Sequence, residues 1–377
     1  MRIDILSDNP ISSNMQAGDT GIACAFPLCT LLDDGSVCCV YRQGTEKHST
    51  DGVLVAQSSQ DMGNTWSPAV PVFDGRQSDK ALTVVSAAPC VSREGTLLAV
   101  FSAVEGLPAD VYMFSAEGKP FPRRLCSSRS TDRGQTWQPP DLINLPEFSW
   151  PGITSKPVTL PDGEICMPVE YKLPSGVIGT GMAFSSDDGK TFASPVTVAA
   201  DSSARLNLCD ARFDCLPDGR LICHLWTFLQ ENEQTIEVHQ SYSSDKGRTW
   251  TKPKSIGFVG QITAPLSLPG GQLIAASNYR HPPDGIRLWV SFDQGEHWNL
   301  DEPIQMWDLA ADRMVGKVID PDQTLTGKDG IWDTLPSFTF GTPDLLALPD
   351  GSLLLTYYAT LNEIIHVRAC RFQIHDG

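Results

Sequence analysis

The 377-residue sequence predicts an all-β fold, a six-bladed β-propeller of four-stranded antiparallel blades, with residues 1–377 forming one domain. Three observations predict it. An eight-residue signature, Ser-x-Asp-x-Gly-x-Thr-Trp, stands intact at residues 59–66, 130–137 and 243–250. It returns at 185–192 with Phe192 in the last place, and at 291–298 with His297 for the Thr. A second repeat of strand, Gly-centred turn and strand interleaves with it at 30–42, 91–102, 159–171, 215–227, 267–280 and 347–359. The sixth hairpin has no signature after it, because the chain ends in a third strand. Repeats at this spacing mark propellers and arrays.

Each element has a physical reason. In the signature, Asp accepts hydrogen bonds from backbone N–H groups two or three residues on, and Gly takes a positive φ that a side chain resists. The closing Trp buries a large ring between layers, so the motif reads as a self-stapled turn of the fold rather than a ligand site. In the hairpins, apolar β-formers flank Asp-Gly, Glu-Gly or Gly-Gly turns. In the incomplete sixth blade the N-terminal run 2–6 is the natural fourth strand, and that closure leaves no open sheet edge.

Composition narrows the function classes. No linker or low-complexity run interrupts the repeats. A net charge of −17 disfavours nucleic acid and anionic membrane surfaces as partners. The N-terminus shows no apolar signal-peptide core. The eleven cysteines are odd in number and sit mostly in apolar strand runs (Cys38, Cys39, Cys166, Cys209, Cys215, Cys223), which suits buried thiols in a reducing cytoplasm. No C-x-x-C pair and no His at ligand spacing points to zinc, so no metal or cofactor is expected.

Propeller topology sorts the candidates by face. The signature turns and the Gly turns of the hairpins share one face. The other face receives the starts of the first strands and the loops between second and third strands, where propellers build small-molecule sites. Blade 1 offers Arg42 and the loop with Glu46, His48 and Asp51. Blade 2 has a long excursion over residues 103–125, with Glu105, Asp110, Tyr112, Phe114, Arg123 and Arg124. Blade 3 gives Trp150, Lys156 and Glu170, and blade 4 the alternating Asp210, Arg212 and Asp214. Blade 5 ends its second strand in Arg280 and His281, with Arg287 opening the next. A long connection, 301–340, is able to reach over the axis, and blade 6 contributes Tyr358.

Both repeats together resemble the sialidase superfamily, whose members carry these "Asp-box" turns on six-bladed propellers. The resemblance implies an axial sugar site, with Arg42 at the end of a second strand and the acid/base carboxylate in the loop after it, as Asp51 or Glu46. It puts Asp210 in the slot of the carboxylate that activates the nucleophile, and Arg280 or Arg287 at the third arginine of the carboxylate-gripping triad. Three positions depart from the pattern. Ala25-Phe26-Pro27 replaces Arg-Ile-Pro, residues 224–228 (His-Leu-Trp-Thr-Phe) lack the second arginine, and Thr342 stands where the nucleophilic tyrosine belongs. The expected function is therefore a divergent glycoside hydrolase acting on a sugar, anionic or neutral. Its carboxyl groups come from Asp51, Glu46, Asp210 and Glu170, and its substrate contacts from Arg42, Arg212, Arg280, Arg287, Tyr358 and His48. The alternatives are a non-catalytic carbohydrate-binding propeller, and a polysaccharide lyase using His48 or His281 with a Tyr.

Overall fold

The computed structural model describes residues 2–77, 81–106, 121–280, 284–318 and 339–375. Six antiparallel sheets succeed one another along the chain. Blade 1 is Ala23–Leu31, Val37–Gly44, Val53–Ser59 and Val70–Phe73, and blade 2 is Leu82–Val91, Leu97–Glu105, Arg123–Ser130 and Asp141–Ile143. Blade 3 opens with a divided strand, Ser149–Gly152 then Val158–Thr159, followed by Ile165–Lys172, Ile178–Ser185 and Ala193–Ala199. Blade 4 is Leu206–Cys215, Leu221–Leu229, Glu237–Ser243 and Lys254–Val259. Blade 6 is Phe340–Ala347, Leu353–Leu361 and Ile364–His375, completed by the N-terminal strand Arg2–Pro10 in antiparallel register, with Arg2 opposite His375 and Pro10 opposite Arg368. The only α-helix among the described residues is Asn14–Ala17.

Blade 5 departs from the expected count. After Thr263–Ser267, Leu273–Tyr279, Gly285–Ser291 and Ile304–Asp308 it adds a fifth strand, Arg313–Val318. Part of the connection expected to reach over the axis is therefore an extra hairpin on the outer edge, packed against the N-terminal strand through Gly316, Ile3 and Ile5. Trp332 and Asp333 of that connection, and Asp110, Tyr112 and Phe114 of the blade 2 excursion, lie outside the described residues, as does His281.

The signature turns are staples, as their chemistry requires. In the first, Ser59 Oγ donates to Asp61 Oδ1 at 2.8 Å and accepts Gly63 N–H at 2.8 Å, while Asp61 takes the N–H and hydroxyl of Thr65 at 2.8 and 2.7 Å. The same bonds recur at Asp132, Asp187 and Asp245, and His297 stands in for Thr at Asp293 through its Nδ1 at 2.7 Å. Met62 ahead of Gly63 is also left-handed, with φ 60° and 88° for the pair, so two successive residues make the turn. Each signature ring packs at a seam between neighbouring blades, and six apolar clusters fill the six seams. The core is a ring of inter-blade layers around an axis, and that leaves the axis for polar groups.

Candidate functional site

The axial cleft opens on the face opposite the signature turns and holds about 140 Å³ of free volume. Backbone bulges aim residues into it. The first strands of blades 1, 2, 3, 4 and 6 each shift register near the axis, at Ala25/Leu28, Val84/Ser86, Ser149/Gly152, Cys209/Arg212 and Gly341/Asp344. A bulge carries one unpaired residue and re-aims it, which is why bulges gather next to sites. Phe26 (φ 61°), Trp150 (φ 57°), Asp210 (φ 43°) and Thr342 (φ 49°) are the turned-in residues, and all four line the cleft. Left-handed backbone at non-glycine residues costs roughly 1–3 kcal/mol each and persists where the surroundings over-determine it. Three of them, Phe26, Asp210 and Thr342, lie nine residues before the turn glycine of their hairpin. The sequence register thus fixes the bulge position in blades 1, 4 and 6.

At the floor of the cleft two carboxyl groups meet. Glu170, on the second strand of blade 3, accepts the backbone N–H of Asp210 on its Oε2 at 3.1 Å. Their carboxyl oxygens and the Cys209 sulfur lie within 4.8 Å of one another. Burial pushes the Glu170 carboxyl up to about 7, and the neighbouring Asp210 charge adds to it. Asp210 is also raised by burial, against the pull of Arg212, Arg123 and Arg280. Two like groups this close do not both ionise readily, so the pair shares a proton near neutral pH. Arg123 and Lys172 favour the charged form of Glu170, as Arg212, Arg123 and Arg280 favour that of Asp210, so the two carboxyl groups titrate as a unit.

The cations are held by named contacts. Arg123 lies face-on over the Trp150 ring at 3.4 Å and 4.0 Å from Glu170 Oε1, and a Cβ on Gly152 would come within 2.8 Å of its Nη1. Arg212 donates to the Thr154 carbonyl. Arg280 donates to Gln261 Oε1, to the Phe340 carbonyl at 2.6 Å and to the Tyr358 hydroxyl at 3.5 Å. The Nε–H groups of Arg123 and Arg212 are buried with no hydrogen-bond partner among the described residues. Lys47, at the rim, is pushed down to about 7 by burial and by Arg280, and lies 5.5 Å above the Tyr358 ring. His48 packs against Phe26 at 5.3 Å and is held neutral by burial, then by Lys47, Arg42 and Arg123.

The structure thus brings Glu170, Asp210, Arg212, Arg280, Tyr358 and His48 together in one cleft. It does not bring Asp51, Glu46, Arg42 or Arg287 there. Asp51 closes its own loop, taking the N–H of Thr45 at 3.1 Å and the Ser49 hydroxyl at 2.5 Å. Burial works to raise its carboxyl, but the hydrogen bonds from Ser49 and Thr45 outweigh it and hold it below the usual range. Glu46 is exposed beside it. Arg42 is buried under that loop, donating to the carbonyls of Val84, Glu46 and Ser49. Its role is to fold the loop that presents Lys47 and His48. Arg287 is buried against the Tyr279 ring at 3.6 Å. Alternation on the first strand of blade 4 is broken by the bulge. Asp214 does not line the cleft with Asp210 and Arg212; it accepts the Ser267 N–H and is raised to about 6 by burial. Lys156 pairs with Asp344 at 2.7 Å.

The cleft also holds residues that the sequence left unassigned. Arg123 was visible only as part of a long excursion, and Lys47 as a loop charge; neither has a local signal. The trio Glu170, Cys209 and Asp210 has a spacing that suits a cation. Its surroundings do not: three guanidinium groups adjoin it, and burial holds the Cys209 thiol well above its ordinary range, in its protonated form.

Comparison with known proteins agrees with this fold. Residues 35–355 match the family described as BNR repeat-like domain. No curated protein matches the chain. Among solved structures, a protein of unknown function from Dyadobacter fermentans superposes with TM-score 0.73 at 20% identity, covering 99% of each chain. A Hadza microbial sialidase superposes with TM-score 0.67 at 17% identity over 93% of this chain and 65% of its own. A Trypanosoma rangeli sialidase gives TM-score 0.63 at 14% identity over 93% of this chain and 55% of its own. The chain therefore spans about two-thirds or less of the length of these two sialidases, and likeness at such identities speaks for the fold alone. With its six blades, five stapled turns and axial cleft, the chain belongs to the BNR repeat-like domain family.

Proposed function

We propose that this protein is a glycoside hydrolase with Glu170 as acid/base and Asp210 as nucleophile, acting on an anionic sugar in the axial cleft. The observation that carries the proposal is that those two carboxyl groups lie within 4.8 Å of each other, Glu170 bonded to the backbone N–H of Asp210, deep in a cleft ringed by Arg123, Arg212 and Arg280. Glu170, protonated near neutral pH, donates its proton to the leaving oxygen. Asp210, kept ionised by the guanidinium groups, attacks the anomeric carbon as the bond to that oxygen breaks. Glu170 then takes a proton from water, whose oxygen displaces Asp210. Carboxyl groups within 4.8 Å match the close spacing of retaining enzymes, about 5–5.5 Å, rather than the 6.5–9.5 Å that admits a water between them. The buried, unpartnered Nε–H groups of Arg123 and Arg212 favour an anionic group on the sugar, since a buried donor left without an acceptor is costly.

The test is hydrolysis of a panel of aryl glycosides containing an aryl sialoside, aryl uronides and neutral sugars. Turnover of an acidic member, lost in Asp210→Asn, supports the reading, and silence across the panel overturns it. Two observations favour a second reading, a carbohydrate-binding propeller without chemistry: Asp51 is engaged in its own loop, and Thr342 stands where the sialidase resemblance expects a tyrosine. Saturable binding of an acidic sugar without turnover is its signature.

A further inference from the structure

The cleft is two-sided, and its second side is apolar. Ile178, Cys209, Trp226, Phe228 and Ile262 form one continuous buried cluster, separate from the six seam clusters, and all five line the cleft. The Trp226 indole N–H is satisfied away from this surface by Thr235 Oγ1 at 3.1 Å, so the wall itself presents no polar group from that ring. Cys209 is the joint between the two sides. It precedes Asp210 in the chain, its sulfur lies within 4.8 Å of the carboxyl oxygens of Glu170 and Asp210, and it pairs in register with Trp226.

We infer that this wall is an aglycone subsite, and that the substrate is a glycoside of an apolar, aryl or alkyl, alcohol. The inference rests on the hydrolase reading and deepens it. If Glu170 protonates the leaving oxygen, the leaving group emerges beside Glu170, and the surface there is the Cys209–Trp226 wall. A second sugar, with a hydroxyl on most carbons, would lose water from those hydroxyls against this wall without gaining acceptors, whereas an aryl or alkyl group gains by burial.

The test separates the subsite from the chemistry. Binding of 4-fluorophenol, followed by fluorine NMR, uses the full chain and needs no turnover. Saturable binding is expected, displaced by an aryl glycoside and weakened tenfold or more by Ile178→Asn, with glycerol showing no saturable binding. Ile262→Thr, a milder change at the other end of the wall, should weaken it several-fold, and an unchanged melting temperature shows that the variant is folded. No saturable binding, or binding untouched by both variants, overturns the subsite. Binding that holds while no glycoside is cleaved leaves the subsite standing and sinks the hydrolase. Turnover whose preference for aryl over methyl glycosides survives Ile178→Asn does the reverse.

Discussion

The backbone N–H of Asp210 donates to Oε2 of Glu170 across 3.1 Å, joining the first strand of blade 4 to the second strand of blade 3. That bond anchors one carboxyl group to the backbone of the other residue, and the two carboxyl groups lie within 4.8 Å of each other. Asp210 lies in the bulge at Cys209/Arg212, outside the register of its own hairpin, and there its N–H meets Glu170.

The pair should set the pH profile. With Glu170 raised to about 7 by burial and by Asp210, activity should fall on the alkaline side with an apparent pKa near that value as the acid loses its proton. Lys47 is pushed down to about 7 by burial and Arg280, so it titrates in the same window. Lys47→Met should leave the alkaline limb in place, while Glu170→Gln should abolish turnover. A limb that vanishes with Lys47 would reassign it.

The same shift carries a stability cost with a definite sign. A carboxyl raised in the folded state holds its proton better there than in the unfolded chain. Its contribution is therefore fully present below about pH 4.5 and is lost as pH rises through about 7. Glu170→Gln should flatten the fall in stability across that window and raise stability at pH 8 by roughly 1–3 kcal/mol. Thermal melts at pH 5 and pH 8 on both proteins check this.

Asp210→Asn keeps the size and the backbone bond while removing the charge. Turnover should drop by about a thousandfold or more, with the melting temperature nearly unchanged or raised, as for other lost nucleophiles. With the parent enzyme, proton NMR of the first product formed should show the substrate's own anomeric configuration. An inverted product would exclude Asp210 as nucleophile.

Asp51→Ala should cost about 1 kcal/mol, because it removes the acceptor that closes the loop onto Thr45 and Ser49. Turnover should stay within about tenfold of the parent, through a small displacement of Lys47 and His48. Loss of turnover as deep as that of Asp210→Asn, measured on the same glycoside, would make Asp51 the acid.

Gly247→Ala tests the staple. Gly247 has φ 83°, and a Cβ there would come within 2.6 Å of the Met182 sulfur. A loss of about 1–3 kcal/mol is expected, with specific activity unchanged below the melting transition. Chemical denaturation with parallel rate measurements reads both.

Six blades, five stapled turns and the N-terminal strand in the last blade were legible in the residues because each is encoded locally. Ser59, Asp61, Gly63 and Thr65 satisfy one another within seven residues, wherever the chain goes next. The nine-residue spacing before the turn glycine likewise marked Asp210 and Thr342 as axial. The fifth strand of blade 5 was not legible, since Arg313–Val318 lies outside the repeat and is held by its neighbours.

The partnership at the site is another matter. Arg42 and Asp51 look like site residues in the sequence, and only the folded loop shows their charges spent on Val84, Glu46, Ser49 and Thr45. Glu170 and Asp210 are forty residues apart, and nothing near either names the other. By itself the sequence determined the repeat, its turns and which face the loops share, because those follow from hydrogen bonds and periodicity within a few residues. The tertiary structure decided which two carboxyl groups share a proton, because that depends on blades packed side by side, one bulge and the water their apolar neighbours exclude.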